Sequence, residues 1–258
     1  MVLAARNLSI GYGKDDSAIK IAEGINFALN QGEFALILGC NGAGKSTLLR
    51  TLSSVQHPLS GEVTICGENI FETSPRQLAQ RVAAVFTDKT MAGGLLVEEV
   101  VALGRYPYTG FFGKIDKEDG DVIQFSLSLV GMVDKSKKYL SQLSDGERQK
   151  VMIAKALAQQ TPLIILDEPT AFLDLPSRIE ILYLLKRLTQ EENKTILLST
   201  HDVEQSLSVS DKLLLIKNAV VKFKSTAEAI DSGDVECLFE DRGIAFDKNT
   251  RRFIPKLK

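Results

Sequence analysis

The sequence contains no apolar segment long enough to cross a membrane. A membrane-spanning helix takes roughly 18 to 20 consecutive apolar residues, and no run in the sequence approaches that length. The N-terminal residues, Met1 to Arg6, also lack the basic and then apolar pattern of a secretory signal peptide. We therefore expect the chain to remain in the cytoplasm.

Cysteine and histidine are scarce, and neither sign of charge dominates. Cys40, Cys66 and Cys237 are widely separated, with neither metal-ligand spacing nor a disulfide framework, which suits a reducing compartment. Two histidines, His57 and His201, are too few for a histidine-rich metal site. The net charge is -2 and no long block of like charge occurs. Because non-specific nucleic-acid binding needs a basic surface, we expect no nucleic-acid partner.

The most informative feature that is present is a glycine-rich loop at residues 39–47. It matches the phosphate-binding pattern G-x-x-x-x-G-K-[ST] at every fixed position. Glycines let the backbone turn so tightly that successive N–H groups point at phosphates, and the following helix directs its positive end there. In this pattern Lys45 reaches the outer phosphates and Ser46 binds Mg²⁺. The predicted phosphate-binding residues are Gly39, Asn41, Gly42, Ala43, Gly44, Lys45, Ser46 and Thr47.

The loop lies between an apolar run at 34–38 and a helical pattern at 46–52, a context that disfavours a turn without a ligand. Apolar runs at 163–166 and 195–198 flank a predicted helix over 176–191, which is typical of parallel buried strands. The sequence therefore predicts an α/β core.

Other segments predict β structure before the loop, helices over 97–160, a hairpin around Asn218 and short helices over 226–239. Gly104 and Gly131 follow helical patterns and are predicted C-terminal caps.

Two adjacent carboxylates, Asp167 and Glu168, end the apolar run at 163–166. Parallel sheets present ligands beyond the carboxyl ends of their strands, so both are candidates for chemistry. Asp167 would hold the Mg²⁺ shell, and Glu168 would polarise the attacking water as a general base. The alternative is a charged strand end before the turn at Pro169.

A third motif, Leu-Ser-Asp-Gly-Glu-Arg-Gln at 143–149, opens a helix with an apolar face, which by itself is an ordinary capped helix start. With the phosphate loop (Walker A), the carboxylate strand (Walker B) and Ser-Thr-His-Asp at 199–202, its order and spacing resemble an ABC-type ATPase cassette. The resemblance spans roughly residues 1–225. It implies a phosphate-loop NTPase core with a mixed central sheet, an N-terminal antiparallel β subdomain and a helical subdomain.

The resemblance also implies a division of the chain. The whole chain, 1–258, would be one ABC ATPase domain, with residues 1–94 and 161–225 as the core. Residues 95–160 would form the helical subdomain, and residues 226–258 would contribute C-terminal helices and a tail.

The resemblance implies a head-to-tail dimer in which two copies enclose ATP and Mg²⁺. The signature residues of one copy would cover ATP bound to the other; they are Ser144, Asp145, Gly146 and Glu147. Asp174 resembles the D-loop residue that links the two sites. His201 resembles the switch histidine that contacts the γ-phosphate, although a lone histidine is more often structural. Tyr12 resembles the aromatic residue that stacks on adenine, with simple packing as the alternative.

The chain departs from the family pattern at two places. Thr87 and Asp88 stand where the coupling glutamine is expected, so either would replace it in the coupling loop, and Thr87 would be a Mg²⁺ ligand through water. Asp145 and Glu147 stand where Gly and Gln are commonest. Since carboxylates are favoured at helix starts, we expect Asp145 to point toward backbone N–H groups and away from phosphate.

Residues 101–108, which include Gly-Arg-Tyr-Pro, resemble the ATPases of importers for iron chelates (siderophores), for haem and for cobalamin. A helix ended by Gly104 and Pro107 is the alternative explanation. The aromatic residues Tyr106, Tyr108, Phe111 and Phe112 would form an exposed groove for a permease.

The resemblance thus implies a transport-coupled, Mg²⁺-dependent ATPase on the inner face of the cell membrane. Its partners would be a second copy, transmembrane permease subunits and, indirectly, a solute-binding protein. Two alternatives remain. One is a soluble ABC ATPase without a transport role: a DNA-maintenance or translation ATPase would need a coiled-coil insertion or a second cassette, so an iron–sulfur assembly ATPase is the stronger case. The other is a non-hydrolysing nucleotide-binding regulator.

Overall fold

A computed structural model describes residues 1–13, 17–86, 94–110, 113–240 and 243–255. The predictions for Thr87, Asp88, Phe111 and Phe112 lie outside the described residues. Within the described ranges, no helix combines the length and apolar character that crossing a membrane requires.

Strands and helices alternate along much of the chain. The described residues form strands β1 (Leu3–Tyr12), β2 (Ile19–Leu29), β3 (Phe34–Gly39), β4 (Ser60–Ile65), β5 (Glu68–Asn69), β6 (Val82–Val85), β7 (Leu163–Asp167), β8 (Thr195–Ser199), β9 (Lys212–Lys217), β10 (Val220–Ser225), β11 (Ile244–Asp247) and β12 (Arg252–Pro255). They also form helices α1 (Lys45–Leu52), α2 (Pro75–Ala79), α3 (Val97–Ala102), α4 (Lys117–Leu129), α5 (Asp145–Ala158), α6 (Leu175–Glu191), α7 (Val203–Leu207), α8 (Thr226–Asp231) and α9 (Asp234–Cys237).

The central sheet has the strand order β10-β9-β3-β8-β7-β6. β10 pairs with β9 antiparallel, whereas the other neighbours are parallel, so the sheet is mixed as expected. β3, β7 and β8 are buried along their whole length, which explains their continuous apolar sequences. Because these strands are parallel, their carboxyl ends meet at one edge.

Side chains of β3 alternate between two cores. Leu36 and Leu38 pack with residues of α3 to α6, whereas Ala35 and Ile37 pack with α1 and a second sheet. This second sheet is antiparallel with order β2-β1-β4-β5, and it confirms the expected N-terminal β structure. Helix α1, which follows the phosphate loop, is therefore held between two sheets.

The helical part of the chain contains α3, α4 and α5, which contact one another. Gly131 has φ 70° and follows α4 as a left-handed cap, as the sequence predicts. The prediction for Gly104 is wrong: α3 ends at Ala102, and Gly104 lies in a 3₁₀ turn at Leu103–Arg105 without a positive φ. A Cβ there would lie 2.3 Å from the carbonyl oxygen of Lys155. Glycine is required for the close approach of α5.

The end of the chain is more ordered than expected. Beyond α8 and α9, strands β11 and β12 form an antiparallel hairpin where the sequence suggests only a tail. The Phe253 ring lies 4.9 Å from both the Phe239 and the Phe246 rings, measured between centroids. The Phe253 N–H donates to Glu204 on α7 at 2.8 Å. The strands are too short for a distinct sequence pattern, and this tertiary packing stabilises them.

Candidate nucleotide-binding site

The phosphate loop connects β3 to α1 in a conformation that glycine permits. Gly42 has φ 80° and Gly44 has φ 101°, values that other residues rarely adopt. A Cβ on Gly44 would also lie 2.2 Å from Cγ2 of Ile21. No side chain among the described residues caps the N-terminus of α1. Its free N–H groups therefore present positive potential to an anion.

Lys45 is the first residue of α1 and is almost fully buried. Its Nζ donates to the carbonyl oxygen of Gly39 at 3.0 Å. Burial lowers the pKa of the Lys45 ammonium, and the charges of Glu168 and Asp167 oppose that shift. The lysine therefore lies in the electrostatic field of both carboxylates.

The carboxylates lie where β7 meets β8. Asp167 pairs in register with Ser199, whose Oγ donates to the Asp167 carboxylate at 2.5 Å. The Glu168 N–H donates to the carbonyl and hydroxyl oxygens of Ser199, both at 3.1 Å. Glu168 itself has φ 50°, a left-handed conformation that is disfavoured for a residue with a Cβ. Strained backbone of this kind clusters at functional sites.

His201 follows β8 and contacts Glu168 directly. Its Nε2 lies 2.6 Å from Oε1 of Glu168, a distance at which Nε2 donates a hydrogen bond to the carboxylate. The histidine side chain is half exposed. The structure thus brings together Glu168 and His201, two of the four residues predicted for catalysis; the others are Lys45 and Asp174.

Tyr12 lies at the end of β1, beside the phosphate loop. Its hydroxyl is 2.8 Å from Oγ1 of Thr47 on α1, and 48% of the residue is exposed. This position places an accessible aromatic ring next to the phosphate-binding segment.

The signature segment forms the start of α5. The Ser144 hydroxyl accepts from the Glu147 N–H, and the Glu147 carboxylate accepts from the Ser144 N–H, which is a capping box. Glu147 also forms an ion pair with Lys135. The expectation that Asp145 points toward backbone N–H groups is wrong, because its carboxylate pairs with the Arg148 guanidinium at 3.2 Å. Glu147 takes the backbone N–H contact instead.

Within one chain, this segment lies against the start of α6. A Cβ on Gly146 would lie 3.2 Å from the hydroxyl of Ser177. Asp174 caps α6 by accepting from the Ser177 N–H at 3.2 Å. The side-chain and backbone hydrogen bonds from Ser177 hold the pKa of Asp174 below its ordinary value. The signature and the predicted D-loop residue are therefore neighbours in the same copy.

The aromatic groove is only partly present in the described residues. Tyr106 is 69% exposed, as expected. The expectation for Tyr108 is wrong: its hydroxyl donates to the Gln159 carbonyl at 2.9 Å, and the Arg105 guanidinium lies 4.1 Å from its ring centroid. Burial raises the pKa of Tyr108.

Several residues near the site have no predicted role. Ser199 donates to Asp167, and Arg178 donates to Asp202; both bonds join the chain from the end of β7 onward to the chain around the end of β8. Arg178 also donates to the Leu173 carbonyl. Ser199 and Asp202 do belong to the motif at 199–202. Arg178 has no signal in the sequence.

Comparisons with known proteins agree with this architecture. The sequence profile of the family described as "ABC transporter" matches residues 22–171. An uncharacterized ABC transporter ATP-binding protein of Methanocaldococcus jannaschii is 43% identical over 84% of this chain and 73% of its own length. The iron(3+)-hydroxamate import ATP-binding protein FhuC of Bacillus subtilis is 36% identical, covering 90% of this chain and 85% of the relative. The ferric enterobactin transport ATP-binding protein FepC of Escherichia coli is 33% identical, covering 90% and 84%.

Solved structures are similar over most of the chain. A chain of an inward-facing ABC transporter, of proposed metal-chelate type, gives a TM-score of 0.81 at 29% identity and covers 98% of this chain and 95% of its own. A dimeric ATP-binding cassette in a post-hydrolysis state with ADP and Pi gives a TM-score of 0.74 at 27% identity, covering 87% and 98%. The chain therefore belongs to the ABC transporter family, as an ATP-binding subunit.

Proposed function

We propose that this chain is the ATP-hydrolysing subunit of an importer whose cargo is an iron chelate (siderophore), haem or cobalamin. The observation that carries the catalytic assignment is the contact between His201 and Glu168 at the sheet edge where the phosphate loop begins. The iron-chelate class is supported by the names of two relatives, FhuC for iron(3+)-hydroxamate import and FepC for ferric enterobactin transport.

Each residue at the sheet edge has a distinct task. Lys45 and the N–H groups of the loop and α1 bind the phosphates, and Tyr12 stacks on the adenine. Glu168 accepts a proton from the attacking water. The Nε2–H of His201 donates to Glu168 in this structure, and it would turn to the γ-phosphate when ATP is bound. Asp174 links the site to the second copy.

Ser46 and Asp167 would hold Mg²⁺, which neutralises charge on the phosphates when bound. A hydroxyl and a carboxylate suit this cation because Mg²⁺ prefers oxygen ligands and keeps several waters. The described residues contain no cluster of three or more His, Cys, Asp or Glu that could hold a metal ion alone. Such a site instead takes its remaining ligands from the nucleotide and water, as phosphate-loop sites do. Thr87 remains a proposed water-mediated ligand.

Transport requires that ATP shift a conformational equilibrium. Two copies close over two ATP molecules, and Ser144, Gly146 and the start of α5 complete each site from the partner copy. Inverting a strong preference takes roughly 5.5 kcal/mol of differential affinity. Contacts that form only on closure supply it, and hydrolysis then removes them.

The permease would dock beside residues 95–160, the proposed helical subdomain, where Tyr106 is exposed. Docking places this subunit at the cytoplasmic face of the membrane, with a solute-binding protein acting from the other side. Thr87 or Asp88 would take the place of the coupling glutamine. The iron–sulfur assembly reading is less well supported because the named relatives are import and transport proteins.

The test is the variant Glu168→Gln. Without the general base, ATP binds but is not hydrolysed, so the protein accumulates as an ATP-bound dimer in size-exclusion chromatography. Lys45→Ala is the matched control, since it removes phosphate binding and leaves the chain monomeric with ATP. A Glu168→Gln protein that stays monomeric and hydrolyses ATP at the wild-type rate contradicts the assignment. Wild-type Mg²⁺-ATPase turnover also excludes a non-hydrolysing regulator.

A further inference from the structure

The segment from Glu168 to Asp174 contains two backbone conformations that a free chain disfavours. Glu168 has φ 50° and Phe172 has φ 66°, and neither is glycine. Tight turns join the Ala171 N–H to the Glu168 carbonyl at 3.0 Å and the Leu173 N–H to the Thr170 carbonyl at 3.3 Å. Such a segment keeps one shape only when contacts from elsewhere in the fold hold it.

Asp202 supplies two of these contacts. Its Oδ2 accepts from the hydroxyl of Thr170 at 2.8 Å, and its Oδ1 accepts from Nη1 of Arg178 at 2.6 Å. Thr170 is buried, and the Asp202 side chain is only 18% exposed. Asp202 is also the residue after His201, so these bonds fix the backbone that carries the histidine.

Asp202 occupies the N-cap position of α7 but does not cap that helix. An aspartate there ordinarily accepts a hydrogen bond from a backbone N–H in the first turn. The Asp202 side chain makes no such bond, although the described residues include all of α7. Its carboxylate instead accepts hydrogen bonds from Thr170, in the segment 168–174, and from Arg178 on α6. The Asp202 carboxylate therefore holds Thr170 and Arg178 in place and does not stabilise the start of α7.

Arg178 completes the connection from the other side. Its Nε donates to the Leu173 carbonyl at 2.7 Å, while Nη1 donates to Asp202. A planar guanidinium makes both bonds with fixed relative geometry, which a lysine ammonium on a flexible chain does not reproduce. Arg178 thus joins the residue next to Asp174 to the residue next to His201.

We propose that Asp202 and Arg178 are positioning residues for ATP hydrolysis. Together with Thr170 they form a brace, the Thr170–Asp202–Arg178 brace, that holds Glu168, His201 and Asp174 in one arrangement. Among the described residues, the side-chain hydrogen bonds of the brace go to one another and to Leu173, and none goes to the phosphate loop or Tyr12. Its loss lowers turnover and leaves ATP binding unchanged. This inference rests on the proposed roles of Glu168 and His201.

The first test measures kcat and KM of ATP hydrolysis in Asp202→Asn and Arg178→Lys. Misplacing reacting groups by about 1 Å costs up to roughly a hundredfold in rate, so we expect kcat to fall roughly ten- to a hundredfold in Asp202→Asn. KM for ATP stays at the wild-type value. Arg178→Lys keeps the charge beside Asp202 but loses the Leu173 contact, and its kcat falls to an intermediate value.

A second pair of variants separates positioning from folding. Thr170→Ser keeps the hydroxyl that donates to Asp202, whereas Thr170→Val keeps the shape and removes the donor. We expect kcat to fall in Thr170→Val and to stay near wild type in Thr170→Ser. If both variants lower kcat equally, Thr170 acts through packing and the brace is refuted.

Lys222→Gln is the control for loss of an ion pair. Lys222 pairs with Asp234 at 2.7 Å and lies on β10, which β9 and β3 separate from β8. We expect its kcat to equal that of wild type.

The brace is also refuted if Asp202→Asn melts at a lower temperature but hydrolyses ATP at the wild-type rate when folded. Glu168→Gln separates a failure of the catalytic assignment from a failure of the brace. If Glu168→Gln retains activity, the assignment of the catalytic site fails. If it loses activity while Asp202→Asn and Thr170→Val do not, only the brace fails.

Discussion

Arg105 illustrates how a motif residue can be fully explained by contacts within the chain. The arginine is buried, and its Nε donates to Asp119 at 2.8 Å. Its Nη1 donates to the Ala158 carbonyl at 2.8 Å, near the end of α5, and to Gln160 at 2.7 Å. The Gly-Arg-Tyr-Pro sequence therefore joins three parts of the helical region. Its arginine makes structural contacts, and the proposed permease surface begins at the exposed Tyr106.

The charge of Asp119 is predicted to stabilise the fold through Arg105. Asp119→Asn leaves a buried guanidinium without its counter-ion, and breaking a buried pair costs about 3 kcal/mol. Urea unfolding at neutral pH measures the loss. Lys137→Gln, which removes an ion pair of a lysine that is 78% exposed, is the control and changes stability by less than about 1 kcal/mol.

The Arg105–Asp119 pair also predicts how the free energy of unfolding changes at acid pH. Burial raises the pKa of Asp119, but hydrogen bonds from Arg105 and the backbone outweigh it and hold the pKa below the ordinary 3.8. A carboxyl group whose pKa is lowered by folding stabilises the folded state at pH values above its unfolded-state pKa. This stabilisation is lost as the pH falls through the folded-state pKa. Below about pH 4, wild type therefore loses more stability than Asp119→Asn. Parallel pH profiles of the two proteins would contradict this role for the carboxylate.

At the scale of elements, the sequence predicts most strands and helices near the phosphate loop. Runs of apolar residues at 34–38, 163–166 and 195–198 correspond to β3, β7 and β8, because strands buried on both faces need no alternation. The hairpin β11–β12 is missed because a short strand takes its stability from distant partners, here Phe239 and Glu204. The role of Gly104 is also missed because it depends on a distant partner, the Lys155 carbonyl on α5.

Two glycines make a matched test of helix packing. Gly104→Ala places a Cβ 2.3 Å from the Lys155 carbonyl oxygen, so α5 must move, and overpacking of this kind costs about 2 kcal/mol. Gly120 lies within α4 with nothing within 4 Å of an added Cβ. Gly120→Ala therefore stabilises the protein by roughly 0.5 to 1 kcal/mol through helix propensity. Thermal unfolding of both variants measures the difference. Equal effects would show that α5 does not constrain position 104.

At the scale of the whole molecule, the negative charge of Glu147 in the signature segment is paired with Lys135 of the same copy. The hydrogen bond from Lys135, followed by the Ser144 N–H, holds the pKa of Glu147 below its ordinary value. Lys135 thus offsets the charge that Glu147 would bring toward the triphosphate of the partner copy. Glu147, which stands where the family commonly has Gln, is therefore compensated by a lysine of the same chain.

Removing that partner is predicted to weaken ATP-driven dimerisation. In a Glu168→Gln background, Lys135→Gln leaves the Glu147 carboxylate without its ion-pair partner at the proposed dimer interface. It weakens the dimer by roughly fivefold, about 1 kcal/mol, as for a partly exposed ion pair. Sedimentation with ATP measures the dissociation constant. Glu147→Gln is the control, and adding Lys135→Gln to it has no further effect if the two residues act as a pair. Equal dimer affinity in all variants would exclude this compensation.

The sequence alone determined the nucleotide-binding character of this protein. The loop at 39–47, the carboxylates at 167–168 and His201 each depend on local order: glycine for tight turns, and polar residues directly after buried strands. The tertiary structure decided how these parts are held together. Glu168 and His201 meet because β7 pairs with β8 in parallel, and the Thr170–Asp202–Arg178 brace joins residues far apart in sequence. Hydrogen bonds between distant segments depend on strand register and loop shape, which local residue patterns do not specify.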